Sequence, residues 1–447
     1  MLGELKKFRT LYNEMRNTLP FLDCYVSDMA PSWDDVPQEP QTPFVKLSFD
    51  TGNPRLVKQT EHSFKEIEEM AVKNPEINFI IASGDQKMLY HITEVTRLIK
   101  SYKNIYLCTA NVCNVFALED LVAGGCTEKL LYGTMVPYLA PGQAMGPVVL
   151  GDFDWETRCA IAGNNFRKLL GESAILPPEL PSIKIPSIIV DAHGHTISPD
   201  APSRFPAPVY NSIWSDWEDK LNFFGITDFF ITSSEAIRDV STYCTEQDRK
   251  LGVDSGEKIR YFVVFDPTRP EDSIRVLENN LADPLCVGIK IHPACHLTDA
   301  DAPEYELAYQ LAAKFNKPIM THSWGISDYN QTQKHATPDR FEVYFKKYPQ
   351  VKFVLGHCGG RPNGFTHAVE MIRKYPQVMG DFAGDLFNNG FIAHAVKEIG
   401  VDRLIFATDM YWIDPRSVLG MIMDLNICDA DMLKILRENA LDTYNIR

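Results

Sequence analysis

Eight short apolar runs, each followed by a stretch able to form a helix, fill the chain from about residue 185 to its end. The runs are rich in Val, Ile and Phe, which is typical of parallel strands buried on both faces. Eight strand-helix units in about 260 residues match a (β/α)8 barrel in number and length. The runs are IPSIIVDAHG, FFGITDFFITS, RYFVVFDP, CVGIKIHP, KPIMTHSW, VKFVLGHCGG, QVMGDFAG and RLIFATDMYW.

Polar residues at the ends of these runs favour the barrel over a doubly wound open sheet, which is the alternative fold. His, Lys or Asp stands at the C-terminal end of the first, fourth, fifth, sixth and eighth runs. In a barrel those ends converge on one face, whereas in an open sheet they are spread along an edge. We therefore predict an α/β protein with a catalytic (β/α)8 TIM-type barrel at residues 185–447.

The first part of the chain repeats the second half of this barrel at a spacing of 273 to 275 residues. PEINFII, beginning at Pro75, matches PQVKFVL, beginning at Pro349, and EKLLYGT matches DRLIFAT. Residues of about 42 to 171 thus correspond to barrel strands five to eight. A proline-rich segment, ILPPELPSIKIP, separates the two parts. We predict a degenerate half-barrel-like domain at residues 1–180.

Composition restricts the class of protein and its partners. The formal net charge is −15 and no long basic run interrupts it, which argues against nucleic-acid or anionic-membrane partners. The ten cysteines form no CxxC pair, and the N-terminus lacks the uninterrupted apolar stretch of a secretory signal. We expect a cytoplasmic protein with reduced thiols and a small-molecule substrate.

Histidine and aspartate positions predict a metal site at the C-terminal face of the barrel. His193 and His195 are two apart on the first strand, so both imidazoles leave the same face. His322, His357 and Asp409 end the fifth, sixth and eighth strands. One HxH pair is a weak signal, but five such residues at barrel spacing indicate a metal site. Nitrogen and carboxylate ligands favour Zn²⁺, with manganese, nickel and iron left open.

This pattern resembles the amidohydrolase superfamily over about 260 residues. GIKIHP, FVLGHCGG and the closing ILRENA resemble the branch that contains aminocarboxymuconate-semialdehyde and resorcylate-type decarboxylases. The resemblance implies one divalent ion, two being left open, with His193, His195, His322 and Asp409 as ligands or near-ligands. It leaves His357 as a polar catalytic group.

Three further residues are candidates for binding the substrate or a second metal. Lys290, in GIKIHP, stands where binuclear relatives carry a carboxylated lysine, or it is a cation that tunes a ligand or a substrate carboxylate. His292, on the following loop, faces the substrate or lies on the surface. Arg361, directly after HCGG, forms a bidentate pair with a substrate carboxylate or an ordinary loop salt bridge.

The predicted function is metal-dependent hydrolysis of an amide, a lactone or an ester-like substrate. Metal-activated water attacks the carbonyl, Asp409 accepts a proton, and His357 steadies the developing oxyanion. The alternative is metal-dependent, non-oxidative decarboxylation of a small carboxylic acid, aromatic acids included. A hypothesis of another class is a catalytically inactive scaffold or binding protein.

The N-terminal repeat suggests the scaffold hypothesis, because it has lost the residues that predict the metal site. Leu47, Ser83 and Met135 stand where the barrel has its fifth-strand His, sixth-strand His and eighth-strand Asp. We therefore predict a metal-free domain. Half a barrel leaves open sheet edges that invite pairing, so we expect it to pack on the catalytic barrel or to form a homo-oligomer.

Overall fold

Two parallel sheets organise the protein. The structure, a computed structural model, describes residues 1–25, 44–50, 62–82, 88–197, 213–240, 242–326 and 330–446, with the backbone alone at 44–50 and at 242. The strands are β1 (Phe44–Asp50), β2 (His62–Ser63), β3 (Asn78–Ala82), β4 (Ile105–Cys108), β5 (Leu130–Leu131), β6 (Ile189–Thr196), β7 (Ile226–Ser233), β8 (Ile259–Val264), β9 (Cys286–Ile291), β10 (Ile319–His322), β11 (Phe353–Gly356), β12 (Val378–Asp381) and β13 (Leu404–Ile405).

Helices surround both sheets. They are α1 (Leu2–Thr18), α2 (Phe64–Lys73), α3 (Ile92–Ser101), α4 (Ala117–Ala123), α5 (Pro141–Val149), α6 (Trp155–Cys159), α7 (Asn165–Leu170), α8 (Trp214–Phe223), α9 (Ser234–Arg238), α10 (Thr242–Asp254), α11 (Pro270–Asn280), α12 (Pro293–His296), α13 (Glu306–Phe315), α14 (Glu342–Lys347), α15 (Pro362–Lys374), α16 (Phe391–Ile399), α17 (Pro415–Met423), α18 (Asp429–Leu433) and α19 (Asn439–Thr443). Within the described ranges, none of them combines the length and the apolar character that a membrane crossing requires.

The second sheet is the predicted eight-stranded barrel. Its strands follow one another in chain order from β6 to β13, all parallel, and each predicted run contains one of them. The first and last strands close the ring through a bridge between Gly194 and Met410. There His195 N–H donates to Met410 O at 2.7 Å, and Asp409 N–H donates to His193 O at 2.8 Å. The predicted fold class is thus confirmed, and closure places the ends of β6 and β13 side by side.

Apolar side chains fill the barrel interior beneath its C-terminal face. Phe230 and Phe262 reach the interior from β7 and β8, and the ring of Tyr444, after α19, packs 5.1 and 5.5 Å from theirs. Met320 and Val354 belong to the same buried cluster. Because this end is sealed by packed side chains, the polar groups of the barrel gather at the opposite end.

The first sheet reproduces the second half of the barrel in detail. β3, β4 and β5 pair in the same register as β11, β12 and β13, and both repeats contain a π-helical turn, at Ala160–Asn164 and at Lys434–Glu438. Asn165 donates to the carbonyls of Thr127 and Leu130 at 2.7 and 2.8 Å. Asn439 donates to those of Val401 and Leu404 at 2.8 and 2.8 Å. These matches support the predicted half-barrel-like fold, while the boundaries 1–180 and 185–447 stay a prediction.

The half-barrel packs on the catalytic barrel through α5 and α17, which occupy matching places in the two repeats. A Cβ on Gly146 would lie 1.9 Å from the carbonyl oxygen of Arg416, and a Cβ on Gly142 would lie 2.4 Å from that of Gly420. Glycine is required here because the two backbones touch. The structure therefore shows the half-barrel packed on the catalytic barrel. This is one of the two arrangements that we expected from its open sheet edges, the other being a homo-oligomer.

The segment that follows α1 covers one edge of the half-barrel. Leu22 N–H donates to Ala162 O at 3.0 Å, and Cys24 N–H donates to Tyr132 O at 2.8 Å, directly after β5. α1 also contacts the catalytic barrel, since Arg9 donates to the carbonyl of Ile427 at 2.7 Å. Backbone groups that an open edge would expose are thus paired within the chain.

A fully buried cation joins the two domains. The Arg416 guanidinium is 0% exposed; it donates to Asp414 at 2.9 Å and to Glu119 of the half-barrel at 3.0 Å. The same group lies 5.2 Å from the ring centre of Phe116, also in the half-barrel. A buried charge is stable only when groups of opposite charge or an aromatic ring contact it. This interface therefore requires Asp414, Glu119 and the ring of Phe116.

We predict that Arg416→Met lowers the free energy of unfolding by about 3–5 kcal/mol, because it leaves Asp414 buried without its cation. Denaturant unfolding of the full chain measures the change. Arg275→Met is the matched control; this arginine pairs with Asp272 on the surface, with side chains 64% and 45% exposed, and we expect a loss below about 1 kcal/mol. Equal losses in the two variants would contradict a supporting role for Arg416.

Candidate metal centre

Three of the predicted ligands meet at the C-terminal face of the barrel. Among the described residues, His193, His195 and Asp409 form the one group of at least three acidic, His or Cys side chains whose ligand atoms lie within 4.8 Å of one another. The two histidines are two apart on β6, and their ring centres are 5.4 Å apart. Oδ1 of Asp409, just beyond β13, lies 3.0 Å from Nε2 of His195.

Hydrogen bonds on the far side of each ring orient the two histidines. Nδ1 of His193 lies 3.0 Å from Oδ2 of Asp381, and Nδ1 of His195 lies 3.0 Å from the carbonyl oxygen of Thr232. Both partners are acceptors, so each Nδ1 carries the proton and each Nε2 keeps its lone pair. Two neutral imidazoles and the carboxylate of Asp409 fit a divalent ion and leave a coordination position for a substrate.

Asp409 sits on a left-handed turn that aims its carboxylate at the histidines. Its φ is 68°, a conformation that costs a non-glycine residue of the order of 1–3 kcal/mol and often marks a functional site. Buried Asp191 supports the turn by accepting Thr408 N–H at 3.1 Å. Burial by itself raises the pKa of Asp409, but the close approach of His195 and of the other imidazoles outweighs it and holds that pKa well below its usual range.

His322 borders the group without belonging to it. Its Nε2 lies 2.9 Å from Oε1 of Gln333, so Nε2 carries the proton and Nδ1 keeps a lone pair. Its ring stacks on Trp324 at 5.6 Å and lies edge-on to His357 at 4.7 Å. The structure thus gathers three of the four predicted ligands and places the fourth beside them, with a nitrogen still able to bind an ion.

His357 ends β11 and lies over the same space. Its Nδ1 lies 2.9 Å from the carbonyl oxygen of Ala383 and must donate, which leaves Nε2 as the reactive nitrogen. Its backbone N–H donates to Oδ1 of Asp381 at 2.7 Å, and its ring centre is 4.9 Å from that of His193. Burial lowers the pKa of His357 to about 4.

Lys290 brings a buried positive charge to the site. Its side chain, from β9, is 1% exposed, and its Nζ lies 2.9 Å from Nε2 of His193 and 2.8 Å from the sulfur of Met320. Burial lowers the pKa of Lys290 to about 8, which still leaves the amino group mostly protonated at neutral pH. An ammonium in this position is suited to an anionic ligand.

The two remaining candidates lie at the rim of the site. The His292 ring stacks on that of His322, with centres 4.2 Å apart, while its Nδ1 accepts Cys295 N–H at 3.2 Å. Arg361 lies 3.9 Å from Asp385 and 5.7 Å from the ring centre of Trp324. These contacts place both near the histidines, and their binding roles stay predictions.

Asp381 and Gln333 have structural roles in the site that the sequence analysis did not predict. Asp381 ends β12 within QVMGDFAG, at the place where the other strands carry their polar residues, so its position was a usable signal. Burial raises the pKa of Asp381. Gln333 lies eleven residues beyond the histidine that it contacts, in a stretch with no regular pattern, and the sequence contains no such signal for it.

Comparison with known proteins identifies the barrel region. A family model described as amidohydrolase matches residues 190–446. A gamma-resorcylate decarboxylase from Polaromonas sp. (strain JS666 / ATCC BAA-500) is 26% identical over 147 residues, which cover 29% of this chain and 44% of that protein. The chain thus matches less than half the length of this curated relative.

Two solved structures that are similar to this chain each cover a little more than half of it. A 2,6-dihydroxybenzoate decarboxylase from Rhizobium is 15% identical, with a TM-score of 0.46 over 58% of this chain and 99% of that one. A 5-carboxyvanillate decarboxylase from Novosphingobium aromaticivorans, solved with bound manganese, is 12% identical, with a TM-score of 0.48 over 59% of this chain and 99% of that one.

We predict that Asp381→Asn weakens divalent-metal binding about 10- to 100-fold. The amide oxygen can still accept the backbone N–H of His357, but the amide NH₂ then faces Nδ1 of His193 and moves the ring proton to Nε2. Titration against a competing chelator measures the affinity. Asp402→Asn is the control, because that acid is 68% exposed and pairs with Lys434; equal affinity in all three proteins would contradict the orienting role of Asp381.

Proposed function

The chain belongs to the amidohydrolase family, and we propose that it is a metal-dependent, non-oxidative decarboxylase of a small, aromatic carboxylic acid. Family membership makes it a metal-dependent enzyme, either a hydrolase or a decarboxylase. The partial similarity to gamma-resorcylate decarboxylase supports the second reaction, although hydrolysis was the main prediction from the sequence.

The buried ammonium of Lys290 is the observation that carries the proposal. It lies 2.9 Å from Nε2 of His193, the nitrogen that would bind the ion, so two positively charged groups would share one enclosed space. Charges removed from water require partners of opposite sign. Asp381 and Asp409 supply two negative charges, and a substrate carboxylate would supply the third that balances a divalent ion and the ammonium. The site is therefore suited to an acid more than to a neutral amide or ester.

The residues around the ion have distinct roles in this reaction. His193, His195 and Asp409, with His322 beside them, would hold the ion, which would supply positive charge that orients the acid and stabilises charge developing on it. Lys290 binds the substrate anion. When the carbon-carbon bond breaks, carbon dioxide leaves and the electron pair stays on the ring carbon, which must take up a proton.

His357 is placed to deliver that proton. Its Nδ1 is committed to the carbonyl of Ala383, so only Nε2 can exchange a proton with the substrate. Although burial alone lowers its pKa, a bound anion favours the protonated ring and raises its proton affinity. Asp409 has a pKa well below its usual range and has no proton to give, so His357 is the proton donor in this proposal.

One observation favours hydrolysis as the second candidate. The Asp409 carboxylate lies 3.0 Å from Nε2 of His195, at the predicted ion site, where it would be in position to accept a proton from an attacking water. The scaffold hypothesis has less support, because the barrel retains the set of polar residues that the repeat replaces. Ser83, one of the replaced positions, lies outside the described residues.

The identity of the ion belongs to the proposal as well. Imidazole and carboxylate ligands suit zinc and leave manganese, nickel and iron open, because such sites select weakly by affinity. The manganese seen in the Novosphingobium decarboxylase makes that ion the first alternative to zinc. We propose one ion per barrel, since the amino group of Lys290 lies 2.9 Å from Nε2 of His193 and offers a cation where a second ion would need a bridging carboxylate.

We predict that the purified, metal-loaded enzyme releases carbon dioxide from at least one hydroxylated benzoate, with 2,6-dihydroxybenzoate and 5-carboxyvanillate as the first substrates to test. In D₂O the product takes up one deuterium at the vacated carbon, because that carbon must be protonated. Carbon dioxide detection and mass spectrometry measure the two outcomes. Ring opening of a lactone or cleavage of an amide, without carbon dioxide from any acid, would favour hydrolysis instead.

Two variants show whether this activity arises at the proposed site. His357→Asn removes the nitrogen placed for proton transfer, and we expect kcat to fall about 10²- to 10⁴-fold with the metal content preserved. His367→Asn is the matched control, since that ring is 48% exposed and faces Asp339 on the surface. Equal rates in the two variants would remove His357 from the mechanism.

A further inference from the structure

We propose that the N-terminal half-barrel is a positioning domain for the metal centre, which holds the loops after β12 and β13 in place from outside the barrel. Only the expected effect of this domain on kcat rests on the proposed function. The half-barrel has lost the predicted metal-site residues, yet it is packed against the two loops that carry Asp409 and the acceptor of His357. We name these the seventh loop (382–390) and the eighth loop (406–414).

The two domains meet in a self-complementary way. α5 and α17 begin at Pro141 and Pro415, 274 residues apart, which is the spacing of the repeat. Gly146 faces Arg416, and Gly142 faces Gly420, so each contact maps onto the other when the repeats are exchanged. Such a contact is that of a two-fold dimer. The half-barrel therefore occupies the place, relative to the barrel, that a second copy would take.

The seventh loop is held by main-chain hydrogen bonds from the half-barrel. Ala140 N–H donates to the carbonyl of Phe387 at 2.7 Å, and Asn389 N–H donates to that of Tyr138 at 2.9 Å. An antiparallel bridge joins residues 139 and 388 between them. This short ribbon fixes the outer end of the loop without any side chain of the metal centre.

The inner end of the same loop touches the catalytic groups. Ala383 O accepts the Nδ1 proton of His357 at 2.9 Å. A Cβ on Gly384 would lie 3.1 Å from Nδ1 of His357 and 3.4 Å from Oδ2 of Asp409. Only a few residues of the chain separate the ribbon from Gly384. A displacement of the ribbon is therefore transmitted to the ring whose Nε2 faces the site.

The eighth loop is held at two further points. Asp414 N–H donates to the carbonyl of Cys113 at 2.7 Å, and Asp414 Oδ2 accepts Phe116 N–H at 3.1 Å. Nearer the metal centre, the ring of Tyr90 meets Trp412 edge-on at 6.0 Å. Both ends of the turn that begins at Asp409 are thus attached, one to the barrel strand and the other to the half-barrel.

Ala140→Pro tests the seventh-loop contact in the full-length, metal-loaded protein. The φ of Ala140 is −68°, which proline adopts without backbone strain, so the substitution removes the N–H donor and places the ring Cδ against the carbonyl of Phe387. We expect kcat to fall about 10- to 100-fold, because a shift of about 1 Å in a catalytic group has that effect, with the metal content unchanged. Ala140→Ser keeps the donor and should retain the original kcat.

A second readout needs no substrate. In protein labelled with ¹⁵N-histidine, the Nδ1 proton of His357 is protected from exchange by Ala383 O, and we expect Ala140→Pro to accelerate its exchange at least about tenfold. Unchanged exchange would overturn the proposal, even if kcat falls, and so would an equal change in Ala140→Ser. If the parent protein turns over none of the tested acids but Ala140→Pro still accelerates the exchange, the proposed reaction is refuted and the positioning role stands.

Tyr90→Ala tests the eighth loop with little risk to folding, since Tyr90 is 40% exposed. We expect kcat to fall about 3- to 10-fold with KM and the melting temperature nearly unchanged. Tyr243→Ala is the control, because that ring is 45% exposed on α10 of the barrel. Equal kcat in the two variants would overturn the claim that the half-barrel holds the eighth loop.

Discussion

The Asp381 carboxylate is the group on which the metal centre depends. Oδ2 receives Nδ1 of His193, while Oδ1 receives the backbone N–H groups of His357 and Ala383. One buried side chain thus fixes the ring proton of a predicted ligand on the first strand and the position of a histidine after the sixth. Because the neutral ring of His193 presents the lone pair of Nε2, this nitrogen can accept from the ammonium of Lys290 or bind an ion.

The half-barrel keeps a backbone turn of the metal site although the side chain that the chemistry requires has been replaced. Met135, the counterpart of Asp409, keeps the left-handed turn, with φ of 59° against 68°. The half-barrel therefore retains the local backbone geometry after losing the carboxylate. The half-barrel contacts the barrel through α5 and α17 and through two barrel loops. Main-chain hydrogen bonds and the buried side chain of Arg416 join the two domains there. We infer that the half-barrel took on a structural role after its metal-site residues were replaced.

The sequence allowed the barrel, its eight strands and the gathering of His193, His195 and Asp409 to be predicted, because strand alternation and barrel closure place strand ends together. The position of His322 outside that group follows from its bond to Gln333, in an irregular stretch that no periodicity describes. Asp381 had a positional signal, but its partners on two other strands become visible only in three dimensions. Loop contacts of the half-barrel were beyond prediction for the same reason.

The most direct measurement is elemental analysis of the purified protein beside a His193→Ala/His195→Ala double variant, with Met135→Ala as a control in the repeat. If the barrel histidines hold the ion, the parent and the control contain about one equivalent of divalent metal per chain, and the double variant contains less than about a tenth of that. Equal metal content in all three proteins would contradict the metal centre described here.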